Sequence, residues 1–148
     1  MSADLVHIIL TDDDEDDRLL FSEALDEISI KTNLLLFEQG QKLMDYLFQP
    51  EIILPDMIFL DLNMPIKNGL QSLIDIRNHP RLKDIPIAMY STSLADKDIN
   101  DSFLSGANLY VNKPNCFNLL KKNLEQILQL NWKNHKQNLS KDSFLFRI

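Results

Sequence analysis

Residues 5–17 read LVHIILTDDDEDD. A short apolar, partly β-branched run at 5–10 gives way after Thr11 to six consecutive acids at 12–17. The run is too short for a typical helix and has the composition of a strand buried on both faces. The acids open a helix, because negative charge is favoured at a helix N-terminus. Leu20, Ala24 and Ile28, flanked by Phe21 and Leu25, recur at helical spacing and predict a helix over 15–28.

The same unit repeats along the chain. Further strands are expected at 34–37, 57–60, 86–90 and 109–111. Helices are expected at 41–48, from Gly69 through Arg77, at 96–105 and after Pro114. The last helix carries Phe117, Leu120, Leu124, Ile127 and Leu128 as an apolar stripe. Five strands alternating with five helices predict an α/β fold, a doubly wound five-stranded parallel sheet with helices on both faces. In such sheets ligands bind beyond the carboxyl ends of the strands, where strand order reverses. Asp12, Asp13, Asp61, Ser91 and Lys113 all fall at strand ends.

The 148 residues suit one domain. With 45% hydrophobic and 25% charged residues, the composition is globular. The net charge of −7 gives no support to nucleic-acid binding, which rests on Lys and Arg meeting phosphates. One cysteine, Cys116, excludes an intrachain disulfide framework and a cysteine zinc site. The N-terminal stretch lacks the basic region of a signal peptide, and no apolar run approaches the ~20 residues of a membrane span. A cytoplasmic location is the expectation. The charge is uneven: residues 1–112 hold 20 acids and 8 bases, and residues 113–148 hold 2 acids and 7 bases.

Three carboxylates meeting at one sheet edge repel each other. Two unit charges 4 Å apart cost roughly 4 kcal/mol at an effective dielectric near 20. A shared proton or a divalent cation relieves that cost. Oxygen ligands with room for water suit Mg²⁺, and the three histidines share no ligand spacing that suggests zinc. Lys113 adds an ammonium and Ser91 a hydroxyl, so the group suits a phosphoryl ligand. A central carboxylate can itself be the nucleophile, giving an aspartyl-phosphate.

Four segments together resemble the receiver domain of two-component response regulators: IILTDD at 8–13, DMIFLDLNMPIKNG at 56–69, IPIAMYSTS at 85–93 and GANLYVNKP at 106–114. The resemblance covers about residues 5–130 and is of the single-domain, chemotaxis-regulator-like kind. The insertion at 49–55 and the long tail are similar to phytochrome-associated regulators. It implies a flavodoxin-like receiver fold at 1–130 followed by a C-terminal extension at 131–148. It also implies Asp61 as phospho-acceptor and Mg²⁺ held by Asp12, Asp13, Asp61 and the Asn63 backbone carbonyl. Ser91 and Tyr110 would be switch residues and Lys113 the phosphoryl partner. Asn63 and Ser93 would tune phosphoryl lifetime, and the Lys113–Pro114 bond would be cis. The implied partners are a sensor histidine kinase or phosphotransfer protein and a downstream protein target, with a homodimer through the last strand–helix face or the tail.

The sequence departs from the pattern at Thr92, at Asn115-Cys116 and at Thr11, whose hydroxyl needs a partner if buried. Other readings attach to the same residues. The helix dipole accounts for Glu15, Asp16 and Asp17. Asp12-x-Asp14 fits an aspartate-nucleophile phosphohydrolase, although Asp16 stands where that class wants Thr or Val. A receiver fold that only binds partners, without being phosphorylated, is the third alternative. His7 and Cys116 read as structural. In 131–148, a polar, basic stretch ends in Phe144-Leu145-Phe146, either a frayed tail or a docking segment, and Trp132 marks a helix dock or a partner contact.

Overall fold

The computed structural model describes residues 5–130 and Phe144. Ten elements alternate: β1 (Val6–Thr11), α1 (Glu15–Glu27), β2 (Thr32–Phe37), α2 (Gly40–Leu47), β3 (Met57–Asp61), α3 (Gly69–Arg77), β4 (Ile87–Ser91), α4 (Asp96–Leu104), β5 (Leu109–Asn112) and α5 (Phe117–Leu128). The strands form one parallel sheet in the order β2-β1-β3-β4-β5. This is the five-stranded doubly wound class expected from the sequence, with the reversal of strand order between β1 and β3.

The strand sequences follow from their places in the sheet. Every residue of β3 and β4 is buried. An interior parallel strand covered on both faces reads as a continuous apolar run. The edge strand β2 starts at Thr32 rather than at 34, because Thr32 and Asn33 continue the ladder opposite Val6 and His7. Their polarity hid them from a search for apolar runs.

Two apolar clusters flank the sheet. On one face Phe21 of α1 meets Phe59 edge-on at 5.0 Å and Tyr90 at 5.7 Å, among Leu25, Leu120, Leu124 and Ile127. On the other, Leu43, Leu47, Leu73 and Ile76 of α2 and α3 pack over Ile9, Ile58, Leu60 and Met89. Phe144 joins this second cluster, fully buried. Burying each such side chain contributes roughly 1.5–3 kcal/mol.

The end of the sheet where the strands begin is fastened by Arg77. Its guanidinium donates to the carbonyls of Gly106 (2.8 Å), Lys83 (2.9 Å) and Ile85 (2.8 Å) and to Asn108 Oδ1 (2.9 Å). Asn108 Oδ1 also accepts from the Ile87 amide at 2.8 Å, so the Arg77 side chain ties α3 to the loops leading into β4 and β5. Burial lowers the guanidinium pKa to about 10, and the nearby Asp84 charge opposes that shift. The fixed five-donor fork of arginine fits this set of acceptors, and an ammonium does not. Arg77→Ala is expected to lower the urea-unfolding free energy by about 3 kcal/mol, with Arg77→Lys recovering only a part.

Candidate functional site

The opposite end of the sheet is acidic. β1 and β3 are adjacent and parallel, with Thr11 opposite Leu60, so the residues that follow them emerge side by side. Asp12, Asp13 and Asp61 each present a carboxylate oxygen, and these lie within 4.8 Å of one another. Asp12 and Asp61 are buried, while Asp13 is exposed. Of the three carboxylates, the one on Asp13 is therefore the most open to solvent.

Lys113, brought in at the end of β5, answers the charge. Its Nζ lies 2.8 Å from Asp12 Oδ2, 2.8 Å from Asp17 Oδ2 and 3.5 Å from Asp61 Oδ2. Burial disfavours the ammonium, but hydrogen bonds to Asp12 and Asp17 and the charges of Asp12 and Asp61 outweigh it and raise the lysine pKa. Asp61 is driven the other way from a free carboxylate. Burial first, and then the Asp12 charge, raise its pKa from 3.8 to about 7, against the pull of Lys113 and the Asn63 amide. That amide donates to Asp61 Oδ1 at 3.2 Å. Asp12 Oδ2 is buried, and the Lys113 ammonium meets it at 2.8 Å. A buried oxygen of this kind beside two more carboxylates is a donor set that fits a hard divalent cation.

Asp17 is the functional contact that sequence reasoning missed. Its place in the first turn of α1 was explained by the helix dipole, yet it holds Lys113 across the pocket mouth. Asp14, not Asp12, caps that helix: its side chain accepts from the Asp16 and Asp17 amides at 2.9 and 3.1 Å. The second acid of the Asp12-x-Asp14 pattern is thereby engaged away from the pocket. Arg18 completes the turn by donating to the Asp12 carbonyl at 2.8 Å.

The β3–α3 connection is tight behind Asp61. A Cβ on Gly69 would sit 2.2 Å from the Asp61 carbonyl oxygen, so only glycine permits the approach. Asn68 and Gln71 form a reciprocal capping box at the start of α3. Ile66, in the same loop, holds φ at 67° and is almost fully exposed, a strained conformation for a β-branched residue.

Ser91 ends β4 and is fully buried. Its Oγ accepts from the Ser93 amide at 3.0 Å, and its carbonyl accepts from the Lys113 amide at 2.8 Å. Ser93 Oγ donates to Asp98 of α4 at 2.5 Å. Tyr110 donates its hydroxyl to the Ser93 carbonyl at 2.8 Å, and burial raises the phenol pKa. Asn63 and Thr92 are exposed beside the pocket. The Lys113–Pro114 bond is trans, which corrects the cis bond implied by the resemblance; trans is the lower-energy isomer for a proline amide by ~0.5–1 kcal/mol. The Thr11 hydroxyl is buried and has no hydrogen-bond partner among the described residues. His7 is held in the sheet through Asp56 and Asn33. Cys116 is exposed at the start of α5, and its side chain makes no capping bond. Trp132 lies outside the described residues.

Two expectations follow. Gly69→Ala should destabilise the fold by about 3 kcal/mol or more, because the methyl meets backbone rather than a movable side chain. Urea titrations would show it. Asp61 holds a proton in the folded protein that the unfolded chain releases between about pH 4 and 7, so its contribution to stability falls as pH rises through that window. In EDTA, Asp61→Asn should therefore be more stable than the parent by roughly 1–2 kcal/mol at pH 8, with the gap closing toward pH 4. A gap independent of pH would contradict the assignment.

Residues 8–125 match the response regulator receiver domain family. The chain is 33% identical over 110 residues to response regulator Rcp1 of Synechocystis, covering 72% of this chain and 75% of that protein. It is 30% identical over 130 residues to the probable methanogenesis regulatory protein FilR2 of Methanothrix harundinacea, covering 84% of each. Among solved structures, the phosphorylated cyanobacterial phytochrome response regulator RcpA superposes with a TM-score of 0.76 at 32% identity, covering 82% of this chain and 90% of that one. The Mn²⁺-bound form of Rcp1 superposes with a TM-score of 0.74 at 31% identity, covering 82% and 91%. No helix among the described residues is long and apolar enough to cross a membrane. With a flavodoxin-like sheet, an acidic pocket at its switch point and this match over most of its length, the chain belongs to the response regulator receiver domain family.

Proposed function

We propose that this chain is a phospho-accepting receiver that takes a phosphoryl group on Asp61 and signals to a protein partner. The observation that carries this reading is the convergence of three carboxylates within 4.8 Å, with the Lys113 ammonium 3.5 Å from Asp61. Asp12, Asp13, Asp61 and the Asn63 backbone carbonyl would hold Mg²⁺. When bound, the cation offsets the charge of the phosphoryl oxygens and of the carboxylates around them. The relative Rcp1 has a Mn²⁺-bound form, which supports a divalent cation as the ligand here.

The donor is a phosphohistidine of a sensor histidine kinase or phosphotransfer protein. An Asp61 carboxylate oxygen attacks phosphorus; the P–O bond forms as the P–N bond breaks. The bonding pair stays on the imidazole nitrogen, which takes a proton from water. Lys113, already desolvated and charged, pairs with a phosphoryl oxygen. Ser91 turns its hydroxyl toward the phosphoryl group and so gives up its bond from the Ser93 amide. Tyr110 follows through the Ser93 carbonyl. Asn63 and Ser93 border the path of hydrolytic water and set phosphoryl lifetime. The work is done in the cytoplasm, where the donor resides, and the output is a protein contact, with homodimerisation as one form of it.

The test is incubation with acetyl phosphate and Mg²⁺, read by intact mass. A single phosphoryl adduct is expected that EDTA prevents and Asp61→Asn abolishes. An adduct that survives Asp61→Asn, or none at all in the parent, would reject the reading.

A further inference from the structure

Phe144 lies beyond the last element of the sheet and beyond the part of the chain that matches the receiver family, residues 8–125. It is nevertheless fully buried. Its ring meets Phe103 of α4 edge-on at 5.2 Å and Tyr110 of β5 at 6.2 Å. Ile99 of α4 packs on the same cluster. Phe103 and Ile99 remain half-buried even with this ring in place, so without it the α4–β5 face would present an aromatic cleft to solvent. The fold is complete without Phe144, and the cleft is covered by an added residue of the same chain.

The cleft is also wired to the acidic pocket. Ser91 Oγ accepts from the Ser93 amide, the Ser93 carbonyl accepts from Tyr110, and the Ser93 hydroxyl donates to Asp98 on α4. Movement at Ser91 therefore reaches both walls of the cleft, β5 through Tyr110 and α4 through Asp98. Thirteen residues, polar and basic in composition, separate Leu130 from Phe144 in the sequence.

We infer that the aromatic cleft formed by Ile99, Phe103 and Tyr110 is a docking site whose resident ligand is Phe144 of the same chain, and that phosphorylation of Asp61 loosens this ligand. A protein target that inserts an aromatic side chain there must displace Phe144, so the unmodified protein resists its partner. The inference rests on the phosphoacceptor reading above. Differential affinity of the cleft for Phe144 in the two states is the only energy that can couple them, and such couplings shift populations by about 5- to 150-fold.

The full-length chain carrying 4-fluorophenylalanine at position 144 separates the outcomes in one ¹⁹F spectrum. With Mg²⁺ alone, one ring resonance shielded from a soluble gadolinium chelate is expected, unchanged on dilution. Beryllium fluoride should add bound-fluoride resonances and raise the gadolinium relaxation of the ring by about fivefold or more. Bound-fluoride resonances over an unaltered ring signal would overturn this inference and leave the phosphoacceptor reading intact. Absence of bound fluoride in the parent would overturn both. A ring signal that becomes exposed on dilution would overturn the intramolecular assignment and make the ligand the Phe144 of a second copy.

Discussion

Repulsion among Asp12, Asp13 and Asp61 is the constraint that the rest of the structure answers. The β1–β3 pairing forces their carboxylates together, and burial of two of them removes the water that would screen the charge. One ammonium, Lys113, is shared among Asp12, Asp17 and Asp61. It leaves Asp61 under enough strain to hold its proton near neutral pH. Further positive charge brought to such a site would relieve the repulsion.

The two ends of the sheet solve opposite problems with one cation each. At one end Arg77 gathers neutral backbone carbonyls and the Asn108 amide oxygen, satisfying acceptors that would otherwise be buried unpaired. At the other end Lys113 faces more negative charge than it can neutralise. Arg77 fastens α3 to the segments leading into β4 and β5, while at the acidic end Ser91, Ser93 and Tyr110 are joined in sequence by hydrogen bonds.

Much of this was legible in the chain. Strands buried on both faces are continuous apolar runs, so interior β1, β3 and β4, and the mostly buried edge strand β5, stood out with errors of a residue or two. The short polar start of β2 did not, because Thr32 and Asn33 belong to the strand only through their pairing with β1. Asp61 and Lys113 were visible because each ends an apolar run with a charge. Asp17 was not, since an acid in the first turn of a helix has a sufficient local explanation and its partner lies 96 positions away. The Thr11 hydroxyl, which needs a partner when buried, finds none among the described residues.

By itself, the sequence determined the alternation of strands and helices, the parallel sheet and the set of polar residues at its carboxyl edge. These are encoded by local periodicity and by residue type at strand ends. Only the tertiary structure decided which acids share a cation, that Asp14 caps α1 while Asp17 reaches Lys113, and that the Lys113–Pro114 bond is trans. It alone placed Phe144 against Tyr110 and Phe103. Each of these depends on contacts between segments far apart in the chain, whose energies arise only when the sheet order brings them within a few ångströms.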